Sequence, residues 1–198
     1  MVFAVVAARG NDVAGHYYLQ GLREVGSELL LKPDGKFEYM LAYGAADYHA
    51  EGSWRRDGDD VVLKTAGKEE PPFKPIKSEA TKTPGVRVWV KAPNGQAVPN
   101  IMVILQTPDD NLEGRTDQDG VAFFPQAREA KAVWLVVRVY QLEAGPYAVT
   151  AGHNDLHFEI NGEAITRVLF KDERLRIDGK ALEMRFWNKD QPMRYVKQ

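Results

Sequence analysis

Apolar and polar residues alternate with period two along most of this chain, and no window of helical length carries a clean stripe at 3.6 residues. Phe37, Tyr39, Leu41 and Tyr43 alternate with Glu38, Met40 and Ala42, the pattern of a strand with one buried face. Tyr17-Tyr18-Leu19 and Leu29-Leu30-Leu31 precede it, with a turn at Pro33-Asp34-Gly35, where proline presets φ and glycine accepts a positive one. Residues 50–55 read as a fourth strand with Trp54 on one face, and Asp57-Gly58-Asp59 turns into Val61-Val62-Leu63. Short sequential hairpins of this kind predict an up-and-down antiparallel sheet that curls toward a barrel. The helix content expected is below about 15%, against a base rate near one third.

A different texture follows. Residues 67–83 are charged and proline-rich and read as an extended linker, with Phe73 and Ile76 as its apolar anchors and a short edge strand as one option. A second strand series then begins at Val86-Arg87-Val88-Trp89-Val90, with a hairpin signal at Asn94-Gly95 and a turn at Asp117-Gln118-Asp119-Gly120. Val133 to Val139 reads as a buried central strand and Gly145-Pro146 as a turn. Seven short strands at this spacing predict a sandwich. Val168-Leu169-Phe170, Leu175-Arg176-Ile177 and residues 182–187 return to compact hairpins like the first series. The fold class is therefore all-β: a small antiparallel barrel-like sheet plus a seven-stranded β-sandwich. The expected organisation is a discontinuous barrel from 13–66 and 157–198, a linker at 67–83 and a sandwich at 84–156. About five strands precede the linker, too few to close a barrel, and the C-terminal hairpins supply the rest.

Composition narrows the function classes. The chain has 198 residues, a net charge of −2 and no cysteine. That excludes disulfides, thiolate metal sites and cysteine nucleophiles, and it leaves no global field to recruit nucleic acid. No apolar run reaches the roughly 20 residues of a membrane-spanning helix. Met1 to Ala8, MVFAVVAA, reads as the tail of a secretory signal, as a tag-adjacent leader or as an ordinary strand.

Two stretches resemble known families. Val86-Arg87-Val88, then residues 95–103 (GQAVPNIMV), Gly114-Arg115-Thr116-Asp117-Gln118-Asp119-Gly120 and Gly145-Pro146-Tyr147 resemble the carboxypeptidase regulatory-like domain, a transthyretin-like sandwich. That resemblance implies a fold and carries over no catalytic residue. Gly15-His16-Tyr17-Tyr18, Glu28-Leu29-Leu30-Leu31, Pro33-Asp34-Gly35-Lys36-Phe37 and Gly52-Ser53-Trp54-Arg55 resemble bacterial lipocalin-like barrels. The whole chain resembles a family of secreted two-module bacterial proteins of unknown function, which implies a periplasmic or secreted location; a cytoplasmic one is the alternative.

Candidate chemistry is sparse. His153, Asp155 and His157 share one face if residues 153–157 are extended, and two imidazoles with a carboxylate suit a divalent transition metal. Gly152 and Asn154-Asp155 also favour a turn that would scatter them, and a structural pair is the default reading. Asp117 and Asp119 hint at calcium, but the distal bidentate glutamate of a full loop is missing, so a plain turn is expected. Tyr17, Tyr39, Tyr43 and Trp54 are candidates to line a barrel lumen for a small apolar ligand. The three serines, Ser27, Ser53 and Ser78, sit in no nucleophile motif, and none has an evident histidine partner in sequence. The expectation is a non-enzymatic binding or protein-interaction protein of the bacterial envelope that needs no cofactor. A small-molecule carrier is the alternative, and a metal-dependent hydrolase at His153 and His157 ranks third.

Overall fold

A computed structural model describes residues 12–198, so the Met1 to Ala8 stretch lies outside the described residues. Of the described residues, 56% are in strands and 4% in helices. Five strands come first: β1 (Gly15–Gln20), β2 (Val25–Leu31), β3 (Lys36–Tyr43), β4 (Ala46–Asp57) and β5 (Asp60–Thr65). Eight follow: β6 (Phe73–Glu79), β7 (Val86–Lys91), β8 (Met102–Gln106), β9 (Asn111–Arg115), β10 (Val121–Phe124), β11 (Ala132–Val137), β12 (Leu142–Ala148) and β13 (Asp155–Ile160). After a single helical turn, α1 (Gly162–Thr166), come β14 (Lys171–Asp178), β15 (Ala181–Met184) and β16 (Met193–Lys197). No helix among the described residues is long and apolar enough to cross a membrane. The chain divides into two compact units, one ending at Glu69 and resuming over Thr166–Gln198, the other spanning Glu70–Ile165.

The first unit is a closed eight-stranded antiparallel barrel in the order β1-β16-β15-β14-β5-β4-β3-β2. Closure removes the edges that five strands alone would expose. Alternation sends Leu29, Leu31, Phe37, Tyr39, Leu41, Leu63, Leu175, Leu182 and Tyr195 inward, where they form one buried core. An eight-stranded barrel is just wide enough for side chains to fill, and this one is filled. The polar atoms inside are partnered. Ser27 Oγ donates to the Met40 carbonyl at 2.6 Å and meets the Tyr195 phenol at 2.8 Å.

The chain leaves the barrel after β5 and re-enters at β14, the strand beside it. Thr65 clasps that junction. Its hydroxyl donates to the Val168 carbonyl at 3.0 Å and accepts from the Phe170 amide at 2.9 Å. Residues 168–170, read from sequence as a strand, instead follow an irregular path here. Their backbone groups bond the Thr65 side chain, the Thr65 amide and the His49 carbonyl rather than a regular ladder. The hairpin strand expected over 182–187 stops at Met184, and Phe186 and Trp187 belong to the loop that follows.

The second unit holds two four-stranded sheets, β10-β7-β13-β6 and β12-β11-β8-β9, whose inward residues make a single core. That is eight strands rather than seven. The extra one is β6, from the stretch read as a linker, where Phe73 is fully buried and anchors the strand. Among the described residues β6 pairs only with β13, and an edge position tolerates its Pro75, Lys74 and Lys77. The boundary expected at 156/157 falls inside β13, all of which lies in this unit.

The Asn94-Gly95 turn forms, with the Gly95 amide bonded to the Ala92 carbonyl at 2.8 Å. It is not a simple hairpin, because β7 and β8 belong to different sheets. Only an isolated bridge joins Lys91 to Ala97, and Pro99 cannot donate to a ladder. The turn at Asp117 is capped by its own carboxylate, which accepts from the amides of Asp119 and Val121 at 2.9 and 3.0 Å. Gly120 takes φ +76 there, and a Cβ on it would lie 2.6 Å from the Val90 carbonyl oxygen. Gly145-Pro146, read as a turn, lies within β12, and the pairing with β11 shifts register beside it.

Candidate functional site on an outer sheet face

In β7 the fully buried Val86, Val88 and Val90 leave Arg87, Trp89 and Lys91 on the opposite face. In β13 the buried Leu156 and Phe158 do the same for Asp155, His157 and Glu159. In β10 the buried Ala122 and Phe124 leave Val121 and Phe123 outward. Register then assembles a surface. Asp155 lies between Arg87 and Glu79, and His157 lies between Trp89 and Lys77. Phe123 lies beside Arg87, and Val121 beside Trp89.

The centre of this face is a bonded trio. The Trp89 indole and the His157 imidazole are parallel to within 2°, with centroids 5.5 Å apart, an offset stack. The indole N–H donates to Asp155 Oδ1 at 2.7 Å, and His157 Nε2 donates to Asp155 Oδ2 at 2.9 Å. One carboxylate therefore fixes both rings. Burial of Asp155 opposes its charged form, but the hydrogen bonds from His157 and Trp89 outweigh that and hold its carboxyl below the ordinary value. Arg87 extends the array, its guanidinium carbon 4.3 Å from the Phe123 centroid, and Lys91 Nζ lies 5.7 Å from the Trp89 centroid. Phe123 is 48% exposed. On the edge strand, Glu79 pairs with Lys77 at 2.7 Å.

Of the three residues singled out for metal, Asp155 and His157 come together and His153 does not. His153 precedes β13 in the turn, where its Nδ1 lies 2.8 Å from Ser78 Oγ. Ser78 neighbours Glu79 in β6, so alternation sends their side chains to opposite faces. A serine therefore does have a histidine partner, but among the described residues no carboxylate bonds that imidazole. Glu79 takes the vacated place: ligand atoms of Glu79, Asp155 and His157 all lie within 4.8 Å of one another.

Trp89 was legible as a tryptophan on the polar parity of a strand. Glu79 carried no signal in its charged surroundings. Of the residues considered for a lumen, Tyr17, Tyr39 and Trp54 are buried in the barrel core. Tyr17 donates to the Val13 carbonyl at 2.6 Å and Trp54 to the Lys32 carbonyl at 2.8 Å. Tyr43, at the end of β3, is 57% exposed.

No family model matches this chain, and no curated protein and no solved structure is significantly similar to it.

Proposed function

We propose that this chain is a non-enzymatic protein-interaction module of the bacterial envelope that recognises its partner through the outer face of β10-β7-β13-β6. The observation that carries this reading is the Trp89–Asp155–His157 trio. Interface hot spots are enriched in tryptophan, tyrosine and arginine, and an aromatic surface fixed before binding loses little entropy on association. Here Asp155 holds both rings, and the Arg87–Phe123 pair continues the surface. The envelope location rests on the resemblance to secreted two-module proteins, and the second unit's two sheets around one core suit the transthyretin-like reading of residues 86–150.

The carrier reading has less support. The barrel's centre is occupied by Phe37, Tyr39, Phe170 and Tyr195, each at most 1% exposed, and a ligand carried in the lumen needs that space free.

The test is site-specific photocrosslinking in the native host. A photoreactive residue at position 123 should trap one discrete partner, and the same residue at position 43, on the barrel, should not. Trp89→Ala should abolish the adduct. Equal labelling from both positions, or none from position 123, would remove the interaction reading. An apolar small molecule retained through purification would restore the carrier.

A further inference from the structure

We propose that Glu79, Asp155 and His157 form a binding site for one divalent first-row transition ion of the zinc type. Two carboxylates and one imidazole are a ligand set such ions accept. Ligands around one such ion sit about 3–3.5 Å apart, as bonds of roughly 2.0–2.2 Å require. Asp155 Oδ2 and His157 Nε2 are already 2.9 Å apart, and a Glu79 oxygen lies within 4.8 Å of a ligand atom of each residue. The adjustment falls to Glu79, whose side chain is 42% exposed on an edge strand.

The groups behind the ligands are also in place. Metal-binding residues are characteristically oriented by hydrogen bonds from a surrounding shell. The Trp89 N–H occupies Asp155 Oδ1, so Oδ2 ligates when the ion replaces the hydrogen bond it accepts from His157 Nε2 and the imidazole carries its proton on Nδ1, while the indole plane fixes the imidazole plane. All three ligands come from paired backbone, Asp155 and His157 on β13 and Glu79 directly opposite Asp155 on β6. Such a site is more rigid than one built on loops. Three protein ligands leave room for water or a donor from a bound partner. Lys77 is the competitor, holding Glu79 in an ion pair at 2.7 Å.

This site goes beyond the interaction reading and can fail without it, because Glu79 and Lys77 lie away from the Phe123 end of the face. The experiment is calorimetric titration of metal-stripped full-length protein with Zn2+. We expect one equivalent bound. Glu79→Gln and His157→Ala should each lower affinity by at least about tenfold, the scale on which even outer-shell changes act. His153→Ala should leave binding unchanged. Lys77→Ala should tighten binding, an effect opposite in sign to any loss through misfolding. Absence of binding to wild type at millimolar Zn2+ would overturn the site. So would binding that survives both Glu79→Gln and His157→Ala, or binding lost in His153→Ala.

Discussion

The indole N–H of Trp187 donates to the phenol oxygen of Tyr39 at 2.8 Å, linking the β15–β16 loop to the interior of the barrel. Tyr39 is 1% exposed and Trp187 is 38% exposed, so one side chain spans from the surface to the core. Phe186 meets Phe170 edge-on at 5.0 Å, and Trp187 packs against Tyr48 at the same distance. Trp187→Phe keeps an aromatic ring but removes the donor together with part of the indole's packing. It should cost at least about 1 kcal/mol in denaturant unfolding, the usual net value of one hydrogen bond. A variant as stable as wild type would show that the loop rests on the barrel without supporting it.

Thr65 is the polar clasp where the barrel resumes. Thr65→Val keeps the shape but strips the Phe170 amide of its acceptor and the Val168 carbonyl of its donor. Leaving buried groups unsatisfied should cost about 1–3 kcal/mol. The loss should appear in urea unfolding, with faster amide exchange at Phe170. Unchanged exchange there would mean the β5–β14 pairing alone holds the junction.

Asn154 orders the segment before β7. Its side-chain oxygen accepts from the Thr81 amide at 2.7 Å, and its amide donates to the Thr83 and Gly85 carbonyls at 2.8 and 3.1 Å. Asn154→Ala should lower stability by about 1–2 kcal/mol, since several partners lose their bonds together. Proteolysis should then begin within 81–85. Cleavage elsewhere first would place the weak point outside this loop.

Alkaline pH should destabilise the protein through its buried phenols. Burial first, and then the charge of Asp12, push Tyr17 up to about 12. Burial also raises Tyr39 and Tyr195. A phenol in the unfolded chain ionises near 10, so the unfolded state gives up its protons first. The stabilisation is complete below about pH 10 and is lost as pH rises toward 12. Melting temperature should fall across that window while the tyrosinate absorbance of the folded protein lags that of the unfolded chain. Coincident titration curves would contradict the burial argument.

Much of the strand content was legible because period two is a local property. The Phe37, Tyr39 and Leu41 positions, the Pro33-Asp34-Gly35 turn and the Val86, Val88 and Val90 series each carry their signal within a few residues. The same parity marked Asp155 and His157 as neighbours on one face. It misplaced His153, whose turn ends the alternation before it reaches that residue. Phe73 reads as an apolar anchor, but a single phenylalanine among prolines and lysines does not announce a strand. β6 forms because β13 offers it an open edge, and β13 lies about eighty residues downstream.

The sequence by itself determined which residues face inward along each strand and where the tight turns fall, because alternation, proline and glycine act over a few bonds. Neighbours along the sequential hairpins, and the return of the C-terminal hairpins to the barrel, were legible too, but which strand pairs with which across the long gaps was decided only by the tertiary structure. The Asn94-Gly95 turn forms and still sends β7 and β8 to different sheets, while β5 finds β14 across an intervening unit of nearly a hundred residues. Pairing satisfies exposed backbone edges and shared cores, and those are properties of the assembled molecule. The candidate site follows the same division. Parity aimed Trp89, Asp155 and His157 outward, but the parallel register of β7 with β13 set the indole on the imidazole, and the edge pairing of β6 brought Glu79 to both.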